Sequence, residues 1–247
     1  MKKIIAILIA SFSFSGLYAQ EIITDRPDQT EASSVVPLKS LQIESGLLLQ
    51  FNDNSLGKSR NIAAPNNLLR YGITKWFELR VVSQFESNAF NNIKSEGMSD
   101  LEIGTKIQLL RKSNINTEIA LLSHLIVPTG TESLTNDSYG VISRFCISHV
   151  INESSSVGYN IGYNYRGGNK GDITYTLAYG LSVTDKVGLY LEPYGEITDL
   201  KIHEASLDAG VTYLLKPTIQ LDFSFGLGIN HKMNYLSTGI SWLIVRK

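Results

Sequence analysis

Between Leu41 and Ile244 the chain alternates apolar residues with polar or small ones, and charges collect on one phase. The clearest unit runs from Tyr175 to Ile197. Tyr175, Leu177, Tyr179, Leu181 and Val183 alternate with Thr176, Ala178, Gly180 and Ser182. After Thr184-Asp185-Lys186, Val187, Leu189 and Leu191 alternate with Gly188, Tyr190 and Glu192. A strand sends successive side chains to opposite faces, so a period of two marks strands with one apolar and one polar face. Two such runs joined by a short polar turn read as an antiparallel hairpin.

The unit recurs as about twelve strands of roughly nine to twelve residues, longer than the usual ~5–6. Ten residues at ~3.3 Å each, tilted ~40°, span about 25 Å, the height of the apolar band of an outer-membrane barrel. The polar phase carries Glu44, Arg70, Glu78, Arg80, Glu86, Asp100, Glu102, Lys106, Glu118, Arg144, Glu192, Asp208 and Asp222; the other phase carries almost no charge. A soluble sandwich would bury the apolar face between two sheets. A lipid-facing wall around a wet, ion-paired lumen fits this pattern better. Trp76, Phe77, Phe85, Tyr163, Tyr165, Tyr175, Tyr213 and Trp242 fall near strand ends, where interfacial aromatic girdles sit. The expected fold is therefore all-β: a transmembrane antiparallel up-and-down barrel over residues 40–247.

Long polar loops are expected near 52–66, 87–98 and 128–138, and short turns near 74–76, 111–114 and 184–186. Short periplasmic turns and longer outer loops follow the barrel pattern. In the run Ile219–Leu227, Leu221, Phe223 and Phe225 are expected to face lipid, and Asp222 and Ser224 the lumen.

Residues 1–19 have the form of a cleaved export signal: Lys2 and Lys3, an apolar stretch from Ile4 to Phe14, and small residues ending at Ala19. The whole chain has 22 basic and 23 acidic residues; without Lys2 and Lys3 it has 20 against 23. That balance argues against a nucleic-acid partner. The single cysteine, Cys146, excludes an internal disulfide. The expected partners are outer-membrane lipid and a small-molecule solute, with the protein a monomer in the bacterial outer membrane.

Four stretches carry a family resemblance. Thr24–Glu31 (TDRPDQTE), Ile73–Arg80 (ITKWFELR), Gly97–Leu101 (GMSDL) and Val127–Gly130 (VPTG) resemble bacterial outer-membrane transporter-like proteins assigned to the meta pathway of phenol degradation. The resemblance covers essentially the whole mature chain. It implies a β-barrel and, more loosely, uptake of small or aromatic compounds; a fold does not by itself fix a substrate. The C-terminal Ile244-Val245-Arg246-Lys247 departs from the terminal aromatic common in such barrels.

No enzyme is expected, and neither cofactor nor metal. Ser123 and His124 are strand neighbours pointing to opposite faces, so they form no dyad. His149, His203 and His231 fall at strand ends or in loops without metal-ligand spacing. The expected function is a channel or transporter for small solutes; the alternative is a structural or adhesive barrel.

Residues 20–39 lack sustained alternation and contain Pro27 and Pro37. A twelve-stranded lumen leaves room for a peptide, lying between the filled eight-stranded barrel and the open sixteen-stranded one. The segment is therefore expected to be a lumen plug, a mobile periplasmic tail being the alternative. Arg26 is expected to find Glu44, Glu78, Glu102 or Glu118. Asp25, Asp28 and Glu31 are expected to meet Arg70, Arg80 or Arg144, beside the further lumen candidates Lys106, Glu192, Asp208 and Asp222.

Overall fold

The computed structural model describes residues 22–54, 57–91, 93–112, 115–168 and 170–245. The leader expected over residues 1–19 lies outside them, as do Gln20 and Glu21 of the expected plug. Thirteen strands follow in order: β1 (Leu41–Asn54), β2 (Gly57–Gly72), β3 (Phe77–Phe90), β4 (Ile93–Met98), β5 (Leu101–Leu110), β6 (Thr117–Val127), β7 (Gly140–Asn152), β8 (Ser155–Tyr165), β9 (Asp172–Ser182), β10 (Val187–Thr198), β11 (Ile202–Lys216), β12 (Ile219–Gly228) and β13 (Lys232–Ile244).

Sequence neighbours pair antiparallel around the sheet, and β1 pairs with β13 from Leu41↔Ile244 to Asp53↔Lys232, which closes it. Closure removes the free edges that strands crossing lipid cannot have, and β4 alone pairs on one side only, with β3. One edge of β3 is shared: Phe77–Val82 pairs with β5, and Phe85–Phe90 with β4. β4 and β5 thus form one interrupted stave, and the barrel has twelve.

The interruption at Ser99-Asp100 is bridged by the loop after β6. Gly130 N donates to Asp100 Oδ1 at 2.9 Å, Thr131 N to Met98 O at 2.8 Å, and Leu101 N to Thr129 Oγ1 at 3.1 Å. The GMSDL and VPTG stretches, far apart in sequence, therefore build one junction.

Prolines mark two further irregularities, because a proline cannot donate to the ladder. Pro65 sits where the β2–β3 register shifts between Ala63 and Asn66. Pro193 falls in the gap of the β9–β10 ladder, between Leu191↔Tyr179 and Tyr194↔Thr176.

The alternation translates directly into faces. On β12, Leu221, Phe223, Phe225 and Leu227 are exposed on the outside, while Asp222, Ser224 and Gly226 are buried inside. Two loop expectations are corrected. Residues 52–66 and 87–98 are largely strand: β1 and β2 run on to Asn54 and from Gly57, and β3 and β4 to Phe90 and from Ile93. These extensions are polar on both phases because they rise above the lipid band, where the outward face meets water; the period of two is lost although the strand continues. The segment at 128–138 is a loop, and the turns at 74–76 and 184–186 are short. Both ends of the sheet, at Leu41 and Ile244, lie at the short-turn end.

Candidate functional site: the lumen and its N-terminal segment

Residues 22–40 form no strand and run inside the barrel as an inverted U. The U starts at the short-turn end, where Ile22 N donates to Pro217 O at 2.9 Å and Ile22 packs with Val36, Leu243 and Leu214. It rises to Glu31, held by Asn160: Glu31 N donates to Asn160 Oδ1 at 2.7 Å, and Asn160 Nδ2 to Glu31 O at 3.1 Å. It returns to the base, where Val36 N donates to Glu78 Oε2 at 2.6 Å and Lys39 N to Gly72 O at 2.7 Å.

An irregular segment away from bulk water has no ladder to satisfy its backbone, so the wall must supply partners. Gln42 and Arg70 donate to Ile23 O, Arg70 to Ser34 O, and Lys106 to Ala32 O. Glu44 accepts from Asp25 N at 3.0 Å and Arg26 N at 3.1 Å.

The charges divide between two walls. On the side of β2, β3 and β5, Asp25 meets Arg80 at 2.6 Å, Lys106 at 3.0 Å and Arg70 at 3.2 Å. Those three cations are at most 1% exposed. Buried cations need carboxylates close by, and Glu44 and Glu78 complete the set. Glu31 meets Arg80 at 2.8 Å, and Lys106 and Arg144 at 3.5 Å each. Burial pushes the Asp25 carboxyl up, but Arg70, Lys106 and Arg80 together outweigh it and hold it well below the usual range.

Arg26 turns the other way. Its guanidinium makes a two-bond contact with Asp222, 2.9 and 3.2 Å, and a third with Ser237 Oγ at 3.1 Å. The expectation that its side chain would find Glu44, Glu78, Glu102 or Glu118 is corrected. Glu44 holds its backbone N–H, Glu78 serves Arg70 and Arg80, Glu102 takes His124 at 2.8 Å, and Glu118 takes Arg111 at 3.0 Å. Further along, Gln29 N donates to Glu192 Oε2 at 2.7 Å and Thr30 Oγ1 to Glu192 Oε1 at 2.5 Å. Asp208 accepts from the Tyr235 hydroxyl. Asp28 meets none of the expected arginines and has no ion pair among the described residues; burial and the nearby Glu192 charge push its carboxyl well above the usual range.

Sequence reasoning missed Gln42, Asn160 and Ser237, and the part played by inward glycines. Several of them mark the path of the segment. A Cβ at Gly46 would lie 2.4 Å from Arg26 Cζ, one at Gly239 2.5 Å from Arg26 Nε, and one at Gly72 2.2 Å from Pro37 O. Small residues in inward phase on paired strands were the available signal.

The U separates two cavities. The outer one, about 440 Å³, is floored by Gln29 and lined by Gln50, Arg144, Asn164, Arg166 and Tyr194 among others. The other, about 480 Å³, opens at the short-turn end between Ile22–Asp28 and the wall at Ser154, Ser182 and Gln220. Among the described residues no His, Cys, Asp and Glu cluster is placed to hold a metal ion.

A closed twelve-stave barrel, apolar outside and charged within, is a transmembrane β-barrel of the outer-membrane class. The chain belongs to the family described as "Putative MetA-pathway of phenol degradation", which matches residues 24–242. Its fold is similar to that of an outer membrane channel from Pseudomonas putida F1: TM-score 0.74 at 12% identity, covering 86% of this chain and 98% of that one. It is also similar to the KdgM porin in complex with disordered oligogalacturonate, TM-score 0.57 at 11% identity, covering 81% and 98%. The NanC porin follows at TM-score 0.50 and 11% identity, covering 82% and 98%. No curated protein sequence matches the chain.

Proposed function

We propose that this protein is an outer-membrane channel for small solutes, exported by a cleaved leader at residues 1–19, and that residues 20–39 are its plug. The observation that carries the reading is the pair of cavities divided by the U. Among the described residues, Thr24–Glu31 and their wall partners stand between the two cavities. The plug is held by ion pairs and hydrogen bonds rather than by a large apolar core, so it can leave without exposing much apolar surface. The channel and porin folds named above support passage of a solute. The family description makes small aromatic solutes the first class to test. On the side of β2, β3 and β5 the buried acids serve cations and backbone donors, which is a structural role.

The test is conductance and liposome swelling with purified protein, intact and lacking residues 22–38. Removing the segment should raise both ion conductance and the swelling rate. A truncated, folded barrel that passes no more than the intact one would overturn the channel reading.

A further inference from the structure

We propose that Glu192 and Asp208 hold one proton between them, and that its loss releases residues 28–30 from the wall, so that the channel opens as pH rises. This rests on reading residues 20–39 as the plug.

Glu192 and Asp208 are direct partners across β10 and β11, and both point inward. Direct antiparallel partners bring their Cβ atoms to about 4.5–5.5 Å, so the two carboxyl groups are neighbours on the lumen face. Glu192 is 0% and Asp208 2% exposed, and neither has an ion pair among the described residues. Two adjacent carboxylates away from water cannot both stay ionised without a cation, and they titrate as a pair. Their oxygens are unevenly used. Glu192 accepts from Gln29 N and Thr30 Oγ1, and one Asp208 oxygen accepts from Tyr235. The other, Asp208 Oδ1, is buried without a partner. A carboxylate oxygen left bare beside a second carboxylate is where a proton belongs.

The surroundings offer no substitute charge. From β10 the pair faces Tyr190 and Tyr194, from β12 Ser224, and from β13 Tyr235, all neutral. From the segment it faces Asp28, a third acid. Arg26 is engaged with Asp222 on β12. In the docked state the shared proton keeps the site at one negative charge, which the Gln29 and Thr30 donors satisfy. When that proton passes to lumen water, two adjacent carboxylates are left with no cation, and the docking weakens. Withdrawal of residues 28–30 lets water reach both carboxylates, so the open state binds fewer protons than the closed one. A state that binds fewer protons gains population as pH rises.

The measurement is bilayer conductance of the full chain from pH 5 to 9, with wild type, Asp208→Asn and the segment deletion. For wild type, the open-to-closed ratio should climb by up to about tenfold per pH unit through the transition, the limit for one proton. Asp208→Asn fixes the neutral form and should stay closed across the range. Heat-modifiable migration of each variant on gels checks that the barrel has formed. A flat wild-type profile, or the same step in Asp208→Asn, overturns the proposal. If deletion raises conductance while wild type is flat, only the proton latch fails; if deletion raises nothing, the plug reading fails.

Discussion

Gly46 and Gly239 are direct partners across the β1–β13 seam, and the guanidinium of Arg26 lies against both. The two missing side chains leave a slot in the wall at the one place where the first and last strands meet. Asp222 on the adjoining β12 and Ser237 on β13 itself supply its hydrogen-bond acceptors. Fixed, planar donors suit a charged, narrow site of this kind.

Filling the slot should evict the arginine. Gly46→Ala and Gly239→Ala each place a Cβ within 2.5 Å of Arg26 atoms. Both variants, and Arg26→Ala with them, should raise conductance with the barrel still heat-modifiable. Wild-type conductance in both would mean that the slot is irrelevant to plugging.

A cysteine in place of Arg26 reports on docking directly. In the folded protein it should react with a membrane-impermeant thiol reagent far more slowly than in the unfolded chain, because the site lies between two wall strands. Equal rates would place the segment outside the lumen. Cys146 is fully buried and serves as the internal control.

At the acid end, the Asp25 cluster sets a second limit. The Asp25 carboxyl is held well below its usual range, so its contribution to docking is present above the ordinary carboxylate pKa and is lost as pH falls through the depressed one. Docking through Asp25 should therefore survive mild acid and fail only in strong acid. Asp25→Asn leaves Arg70, Arg80 and Lys106 short of a carboxylate, and breaking a buried pair in this way costs about 3–5 kcal/mol. The variant's segment should be cut readily by protease at neutral pH; persistent protection would show that Glu31, Glu44 and Glu78 suffice.

The wall faces can be tested by one pair of substitutions. Phe223 is 45% exposed on the outside, and arginine there should cost about 2–4 kcal/mol at the bilayer midplane. Gln50→Arg, which lines the outer cavity, should change stability little. Ser224 is a poorer lumen control than its phase suggests, because it is fully buried and a Cβ on Gly210 would already come within 3.0 Å of it. Urea unfolding in lipid vesicles gives both values, and equal costs at Phe223 and Gln50 would reverse the assignment of faces.

Strands were legible wherever lipid touches one face, because lipid and lumen impose opposite chemistry on alternate residues, as at Leu221–Leu227. The upper halves of β1 to β4 were not, since Asn52, Asp53, Lys58 and Arg60 sit on strands that meet water on both faces. The inward charges could be identified by phase, and so could the meeting of Asp25 with Arg70 and Arg80. The partner of Arg26 could not. Which acid it reaches depends on how far the U rises and which way it turns, and that is set by hydrogen bonds to Gln42, Glu44 and Asn160 spread over two distant stretches. Asp28 shows the same limit: arginines line the lumen, yet it lies beside Glu192.

The seam also bears on how the molecule is assembled. Residues 22–40 are continuous with β1, and β1 is one of the two strands that must meet last if pairing follows sequence order. The slot for Arg26 does not exist until Gly46 on β1 faces Gly239 on β13. A segment arriving after closure would have to thread a narrow, charged tube, whereas one carried in on β1 is enclosed as the cylinder zips shut. The arginine is then a clasp set by the act of closing, and an assembly intermediate lacking the β1–β13 ladder has nowhere to put it.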